Sequence, residues 1–130
     1  MTTTTDPAKA ARTPRALTAE EVTFTLECLE EHTAVRGNFM ATDDPEQDKR
    51  DEDEVLRRLN RGDLWAWCCV KVTAHWAGLH GTDFLGCCSY QDEADFERDG
   101  YAADMRERAL DDLNATIARQ AERLAPLFLE

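Results

Sequence analysis

The chain has 130 residues, of which 27 are acidic and 15 basic, for a formal net charge of −12. This length fits one domain with a hydrophobic core of its own. The acidic balance argues against direct binding to nucleic-acid phosphates or to anionic membranes, which attract clustered Lys and Arg. No apolar run approaches the ~20 residues of a transmembrane helix. The first residues also lack the regions of a signal peptide, so we expect a cytoplasmic protein.

The N-terminal part predicts a tail followed by a helix. Residues 1–16 are rich in Thr, Ala, Pro and Arg without an apolar period, which predicts a disordered tail before a single domain over residues 17–130. Thr18 and Glu21 have the spacing of a capping box. Three apolar residues then recur at helical spacing: Val22, Leu26 and Leu29. A first helix is therefore predicted over about residues 19–31.

An extended segment and a second helix are predicted next. Residues 33–42 are expected to form an edge strand bent at Gly37. Pro45 suits the first position of a helix, because its missing amide would be unpaired there anyway, and Asp44 can cap that helix. The helix is expected to end near Asn60, with Gly62 as the left-handed residue that closes it.

The centre of the chain predicts a β-hairpin. Side chains alternate between apolar and polar over residues 64–76, which is typical of a strand. The predicted apolar face consists of Leu64, Ala66, Cys68, Val70, Val72 and Ala74. A turn at Gly78–Gly81 then leads to an antiparallel strand over residues 82–90.

The C-terminal part predicts two helices. A short helix covers about residues 91–98, and a long one runs from Tyr101 to about Leu124. The apolar stripe of the long helix is Leu110, Leu113, Ile117, Ala121 and Leu124. The element order α-β-α-β-β-α-α predicts an α+β fold, in which three to four helices cover a small antiparallel sheet of two or three strands.

Two short segments carry most of the negative charge. Residues 43–54 hold eight acids against two bases, and residues 92–99 hold five against one, so together they account for −10 of the total. Acids gather at helix N-termini because the macrodipole favours them there. The apolar stripe of the second helix does not reach its first two turns, however, so we expect those turns to project into solvent towards a cationic partner. The candidate partner-binding acids are Asp43, Asp44, Glu46, Asp48, Asp51, Glu52, Asp92, Glu93 and Asp95.

Trp65 and Trp67 lie on the predicted strand face opposite the valines, with Tyr90 on the neighbouring strand. Such aromatics can form a stacking platform for single-stranded nucleic acid, but Lys71 alone accompanies them. Burial under a helix and contact with a partner protein are the favoured interpretations. Trp65 and Trp67 therefore join the candidate partner-binding residues.

The pairs Cys68-Cys69 and Cys87-Cys88 raise the question of a zinc or disulfide site. Adjacent residues of a strand point to opposite faces, so a site needs one cysteine from each strand. A two-residue turn at Gly78-Leu79 places Cys69 opposite Cys88, whereas a four-residue loop separates them. No C-x-x-C spacing or histidine ligand motif is present. We expect structural thiols, no metal and no cofactor, with a zinc- or thiol-dependent module as an alternative.

Motifs of enzymes are not found. The sequence has no nucleophile elbow, P-loop or dinucleotide fingerprint. Cys69 and His75 share a predicted strand face but lie six residues apart, roughly 20 Å along a strand, which is too far for a Cys–His pair. We expect a non-enzymatic protein.

Several short runs together are distinctive. They are Val35-Arg-Gly-Asn38, Ala41-Thr-Asp-Asp44, Gly62-Asp-Leu-Trp-Ala-Trp-Cys68, Gly81-Thr-Asp-Phe-Leu-Gly-Cys87 through Ser89-Tyr90, and Asp95-Phe96. The set resembles small accessory proteins, of no established activity, that bacteriophages, prophages and plasmids encode. The resemblance covers about residues 33–105 and implies a mobile-element context. Small acidic phage proteins often block host enzymes, some by mimicking the charge of DNA.

These observations predict a non-enzymatic, acidic, protein-binding accessory factor of a mobile genetic element. Its partner would be a host protein with a basic, nucleic-acid-binding surface, such as a restriction or CRISPR effector, and not nucleic acid or membrane itself. The chain is expected to be a monomer or a homodimer. A homodimer whose long C-terminal helix pairs with itself, with the acids serving only solubility, is a further alternative.

Overall fold

The chain adopts an α+β fold in the computed structural model, which describes residues 14–39 and 42–128. A three-stranded antiparallel sheet has the order β1-β2-β3. The strands are β1 (Thr23–Glu30), β2 (Cys68–Trp76) and β3 (Leu79–Cys88), and the α-helices of the described part are α1 (Pro45–Asn60), α2 (Glu93–Arg98) and α3 (Tyr101–Leu124). The predicted fold class is confirmed, and the predicted element order is confirmed in part.

The predicted first helix is wrong, because residues 23–30 form β1. The Thr18–Glu21 capping box is present but serves a single 3-10 turn, Ala19–Glu21. The segment also alternates with period two, so that every second side chain packs on the core: Val22, Phe24, Leu26 and Cys28. Threonines and a phenylalanine favour a strand, and pairing with β2 along the full length of β1 decides between the two periods.

Two other N-terminal predictions are corrected or fall outside the description. Residues 1–13 of the predicted tail lie outside the described residues, whereas Arg15 forms an ion pair with Glu21 at 2.6 Å. The edge strand predicted over residues 33–42 is wrong for its described part, because residues 36–38 form a turn with Gly37 at φ +82°. Met40 and Ala41 of that segment lie outside the described residues.

The hairpin forms with a register that differs from both sequence alternatives. Its turn is Ala77-Gly78, both with positive φ, so that Trp76 pairs with Leu79. A bulge interrupts the ladder at the far end, where Gly86 and Cys87 of β3 lie opposite Cys69 alone. The bulge brings Cys68 opposite Cys88. The predicted strand also begins too early, because Leu64–Ala66 forms a 3-10 turn.

Helix α3 packs against β2 and β3 and forms the main core. Four α3 side chains at this contact are fully or almost fully buried: Ala102, Met105, Ala109 and Leu113. The closest approach is at Gly81, where an added Cβ would lie 2.2 Å from the Leu113 amide nitrogen and 2.3 Å from the Ala109 carbonyl oxygen. Gly81 is therefore a strand residue that admits the helix backbone, not the turn residue predicted.

The middle and the C-terminal end of α3 have different surroundings. Asn114 clamps the N-terminal segment, because its side chain accepts a hydrogen bond from the Leu17 amide at 2.8 Å and donates one to the Leu17 carbonyl at 3.1 Å. Of the predicted apolar stripe, Leu113 is fully buried, whereas Leu124 is 47% exposed. Beyond it Leu127 and Phe128 are exposed as well. The first half of the stripe is thus core.

The second face of the sheet carries no helix in the described part of the chain. Its side chains are largely polar: Thr23, Thr25, Glu27, Lys71, Thr73, His75, His80 and Thr82. Phe84 is exposed there, with the Lys71 ammonium 5.7 Å from its ring centre. The expectation that a helix covers this face is wrong for the described residues.

Helix α1 packs on a smaller core beside the sheet. It begins and ends as predicted: the Asp44 side chain accepts from the amides of Glu46 and Gln47, and Gly62 follows with φ +86°. The buried residues of this second core are Val35, Val55, Ala66 and Trp67. The turn at residues 33–39 is therefore held between α1 and the 3-10 turn that precedes β2.

The close contact at Gly81 predicts a large cost for a methyl group. We expect Gly81→Ala to lower the free energy of unfolding by about 3 kcal/mol, because helix backbone cannot move aside as a flexible side chain does. Gly78→Ala is the matched control: its φ is positive but an added Cβ meets nothing within 4 Å, so about 1 kcal/mol is expected. Urea unfolding measures both values. A cost at Gly81 no larger than that at Gly78 would contradict the helix–sheet contact.

Candidate functional site

The acids of α1 lie against the turn that precedes the helix. The Glu52 carboxylate accepts a hydrogen bond from the Gly37 amide at 2.9 Å and another from the Arg36 guanidinium at 3.2 Å. Arg36 also forms an ion pair with Asp53. Asp48 accepts from the Thr42 amide at 2.9 Å and from its hydroxyl at 2.6 Å. The first two turns of α1 are largely exposed, as the sequence predicts, but they do not project freely. Carboxylates, not apolar side chains, attach these turns to the rest of the chain.

The remaining acids of this segment differ in how much they are used internally. Asp44 caps the helix, and Asp51 accepts from the Gln47 side chain at 2.9 Å. Asp43 and Glu46 are exposed, and no side-chain hydrogen bond or ion pair of theirs is seen among the described residues. Asp43, just before the helix cap, and Glu46, in the first turn of α1, are therefore the acids of residues 43–54 most available to a partner.

The acids around α2 follow the same division. Asp92 accepts from the Asp95 amide at 2.8 Å, and Asp95 accepts from the Gln91 amide at 2.9 Å. These two carboxylates fix the start of the helix. Glu93 is exposed, and no side-chain partner of it is seen in the described part of the chain. Helix capping thus occupies two of the five acids in residues 92–99, while Glu97 pairs with Arg106 and Asp99 accepts a hydrogen bond from Tyr90. Glu93 remains as surface charge.

Trp65 and Trp67 are placed in the two cores. Trp67 is 4% exposed, and its indole N–H donates to the Thr33 carbonyl at 2.7 Å. Trp65 is half-buried and packs against Tyr90 and Phe96, with ring centres 6.5 Å and 5.8 Å away. Burial leaves Trp67 almost no exposed surface, and neither ring belongs to the sheet face on which the sequence placed them.

Tyr90 joins the sheet, α1 and α2. Its amide donates to the Trp65 carbonyl at 2.9 Å, its carbonyl accepts from Arg58 at 2.6 Å, and its hydroxyl donates to Asp99. Burial, together with the hydrogen bond to Asp99, raises the pKa of the Tyr90 phenol above its usual range. Arg58 is in turn paired with Asp63 at 2.8 Å.

Glu31 holds the bulge at the end of β3, a role that the sequence did not indicate. One carboxylate oxygen accepts from the Cys87 amide at 2.6 Å and the other from the Thr33 amide at 3.0 Å. These amides hold the pKa of the Glu31 carboxyl below its usual range. A Cβ on Gly86 would lie 2.9 Å from Glu31 Oε1, so glycine is needed beside it. Only the bulged register brings these residues together.

A cleft of about 450 Å³ lies between the turn at residues 33–39, the end of β3 and the start of α3. Four aromatic residues line it: Phe39, Trp67, Tyr90 and Tyr101. Asn38 and residues 85–89 complete the lining. Tyr101 is 49% exposed at the mouth. The sequence analysis did not find this cleft, because residues 38, 67, 90 and 101 meet only in three dimensions.

The five cysteines are free thiols with different surroundings. Cys68 and Cys88 are buried opposite each other in the core, and burial raises the pKa of the Cys88 thiol to about 11. Cys28 is half-buried and packs against the same core, and burial raises the pKa of its thiol. The prediction of buried, structural thiols fits these three. It is wrong for Cys87, which is exposed on the bulge.

The described residues contain neither a metal-binding cluster nor a membrane-spanning helix. Over residues 14–39 and 42–128, no group of three or more His, Cys, Asp or Glu side chains is arranged to hold a metal ion. No helix in the same ranges combines the length and the apolar character needed to cross a bilayer.

Comparisons of the chain with protein-family models, with curated proteins and with solved structures find no match. What the surface does must therefore be argued from its own chemistry.

The contact of Glu31 with the bulge predicts that this residue contributes to the free energy of unfolding in a pH-dependent way. Glu31→Gln puts an amide NH₂ against a backbone N–H, so we expect a loss of about 1 kcal/mol in unfolding free energy at pH 7. The pKa of the Glu31 carboxyl is lower in the folded state than in the unfolded state. Its stabilising contribution is therefore present in full above the unfolded-state pKa and is lost as the pH falls through the folded-state pKa. Urea unfolding between pH 7 and pH 3 should show wild type and variant converging at the acidic end. Glu30→Gln, its exposed neighbour, should cost little at every pH; an equal cost would contradict the role of Glu31.

The cysteine arrangement predicts a protein that does not depend on zinc. Purified protein should contain no stoichiometric metal by elemental analysis, and a chelator should leave its melting temperature unchanged. Unfolding by the chelator would support the zinc-dependent alternative, because the binding energy of a structural metal is folding energy.

Proposed function

We propose that this chain is a non-enzymatic accessory factor of a mobile genetic element that binds a host protein through an acidic surface. The partner is a protein with a basic, nucleic-acid-binding surface, and inhibition of a restriction or CRISPR effector is the sharpest form of the proposal. The chain would act in the cytoplasm of a bacterial host cell. It would occupy the surface that the partner uses for DNA or RNA, without binding nucleic acid itself.

The observation that carries this proposal is the concentration of charge. Residues 43–54 and 92–99 hold −10 of the net −12. A localised anionic surface attracts a cationic one, raises the rate of association and repels nucleic acid. The resemblance to accessory proteins of phages and plasmids supplies the biological context.

The internal contacts of the acids show how to test the surface without unfolding it. Backbone amides donate hydrogen bonds to four of the acids: Asp48, Glu52, Asp92 and Asp95. Neutralising any of these carboxylates would weaken a contact of the fold as well as remove a charge. The test set is the exposed acids without such contacts in the described residues: Asp43, Glu46 and Glu93. A matched control set lies on the outer face of α3: Glu107, Asp111 and Glu122, which are also exposed.

The experiment compares two triple variants that each remove three negative charges. Protein captured from bacterial lysate at low salt is purified, and its affinity for the chain and for duplex DNA is measured. Asp43→Asn with Glu46→Gln and Glu93→Gln should weaken binding to this protein roughly tenfold, mainly by slower association. Glu107→Gln with Asp111→Asn and Glu122→Gln should change it less than about twofold. The wild-type affinity should fall as salt rises.

Three outcomes would contradict the proposal. If the captured protein binds duplex DNA and this chain at the same time, the chain does not occupy the nucleic-acid surface. If both triple variants weaken binding equally, total charge and not the localised surface is responsible. If neither weakens binding, the acids serve solubility and capping alone. Capture by itself does not support the proposal.

A further inference from the structure

The aromatic cleft lies between the two acidic segments. On one side, the lining residue Asn38 follows Gly37, whose amide is bound by Glu52 of α1. On the other side, the lining residue Tyr90 donates its hydroxyl to Asp99 at the end of α2. Glu31 binds the amide of a third lining residue, Cys87. Carboxylates from three parts of the chain therefore bind residues that line this cleft or directly adjoin its lining.

The nearby cations do not balance these carboxylates. Among residues 14–39 and 42–128, no Lys or Arg lines the cleft. Two guanidinium groups lie close by, and both are occupied: Arg36 pairs with Glu52 and Asp53, and Arg58 pairs with Asp63. The charged groups that bind the lining residues or their immediate contacts are five carboxylates and two guanidinium groups. The carboxylates are those of Glu31, Glu52, Asp53, Asp63 and Asp99. At neutral pH these groups leave an excess of three negative charges around the cleft.

We propose that this cleft receives an arginine side chain of the basic partner. An aromatic lining inside a negatively charged rim favours a ligand that has both an apolar body and a positive charge. Arginine fits this description better than lysine, because its planar guanidinium is weakly hydrated and stacks on aromatic faces. Tyr101, half-exposed at the mouth, offers such a face, and the carbonyl and side-chain oxygens of Asn38 and Ser89 offer acceptors.

The inference rests on the proposed function for its partner but is tested separately. The probe is the capped tripeptide acetyl-Gly-Arg-Gly-amide, titrated into the full-length chain and followed by amide chemical shifts in NMR. We expect saturable shifts at Asn38, Cys87 and Ser89. The same peptide with citrulline, which keeps the shape of arginine without its charge, should bind at least about fivefold more weakly, as should the lysine peptide.

A pair of single variants tests the role of the aromatic lining. Tyr101→Ala should weaken binding of the arginine peptide about fivefold, because it removes the exposed ring at the mouth of the cleft. Phe84→Ala is the matched control, since Phe84 is a similarly exposed aromatic residue, 55% against 49%, on the open sheet face. It should leave the affinity unchanged.

The outcomes separate this inference from the proposed function. Equal binding of the citrulline peptide, or shifts confined to the acids of α1 and α2, would overturn the arginine cleft. So would a Tyr101→Ala variant with full affinity. If partner binding still depends on Asp43, Glu46 and Glu93 in that case, the proposed function stands without the cleft. If the arginine peptide binds in the cleft but the triple variants behave alike, the cleft stands and the proposed function fails.

Discussion

The contact between α3 and β3 at Gly81 sets the geometry of the whole domain. Helix backbone reaches strand backbone there, and Ala109 and Leu113 are fully buried around it. The Asp112 carboxylate accepts the amide of the next residue, Thr82, at 2.9 Å, which fixes the helix along the strand. Because α3 is a single helix from Tyr101 to Leu124, this contact also positions Tyr101 at the mouth of the cleft.

Local signals predicted much of the fold, and long-range pairing decided the rest. The start of α1 at Pro45, its end before Gly62, the hairpin, and helices α2 and α3 follow from caps, turn residues and periodicity near each position. The apolar residues of segment 23–30 fit both the spacing of a helix and the alternation of a strand. Pairing with β2, some forty residues away along the chain, selects the strand. Strand alternation does not extend through the 3-10 turn Leu64–Ala66, so it does not predict where Trp65 and Trp67 lie.

From the sequence, the candidate site can be predicted only as a concentration of negative charge. Sequence counting finds the acidic segments, but it does not show which carboxylates are bound by amides. The bulge at Gly86 and Cys87 shifts the register by one residue, and this shift brings Glu31 to β3 and exposes the Cys87 thiol. The cleft that this bulge helps to shape is lined by Asn38, Trp67 and Tyr90. These three residues belong to the sequence runs on which the resemblance to phage proteins rests.

The double use of the carboxylates limits how this protein can vary. Asp44, Asp48, Glu52, Asp92 and Asp95 are at once surface charges and the groups that start helices or hold a turn. At any of them, a substitution by an apolar or basic residue removes a backbone contact together with the negative charge, and Asn is the neutral residue that keeps an acceptor at a cap. The strength of the electrostatic field is therefore tied to the stability of the fold, and Glu46 and Glu93 are freer to change. A lineage or a designer seeking a new binding specificity would find those two positions permissive and the capping acids limited to a few polar residues.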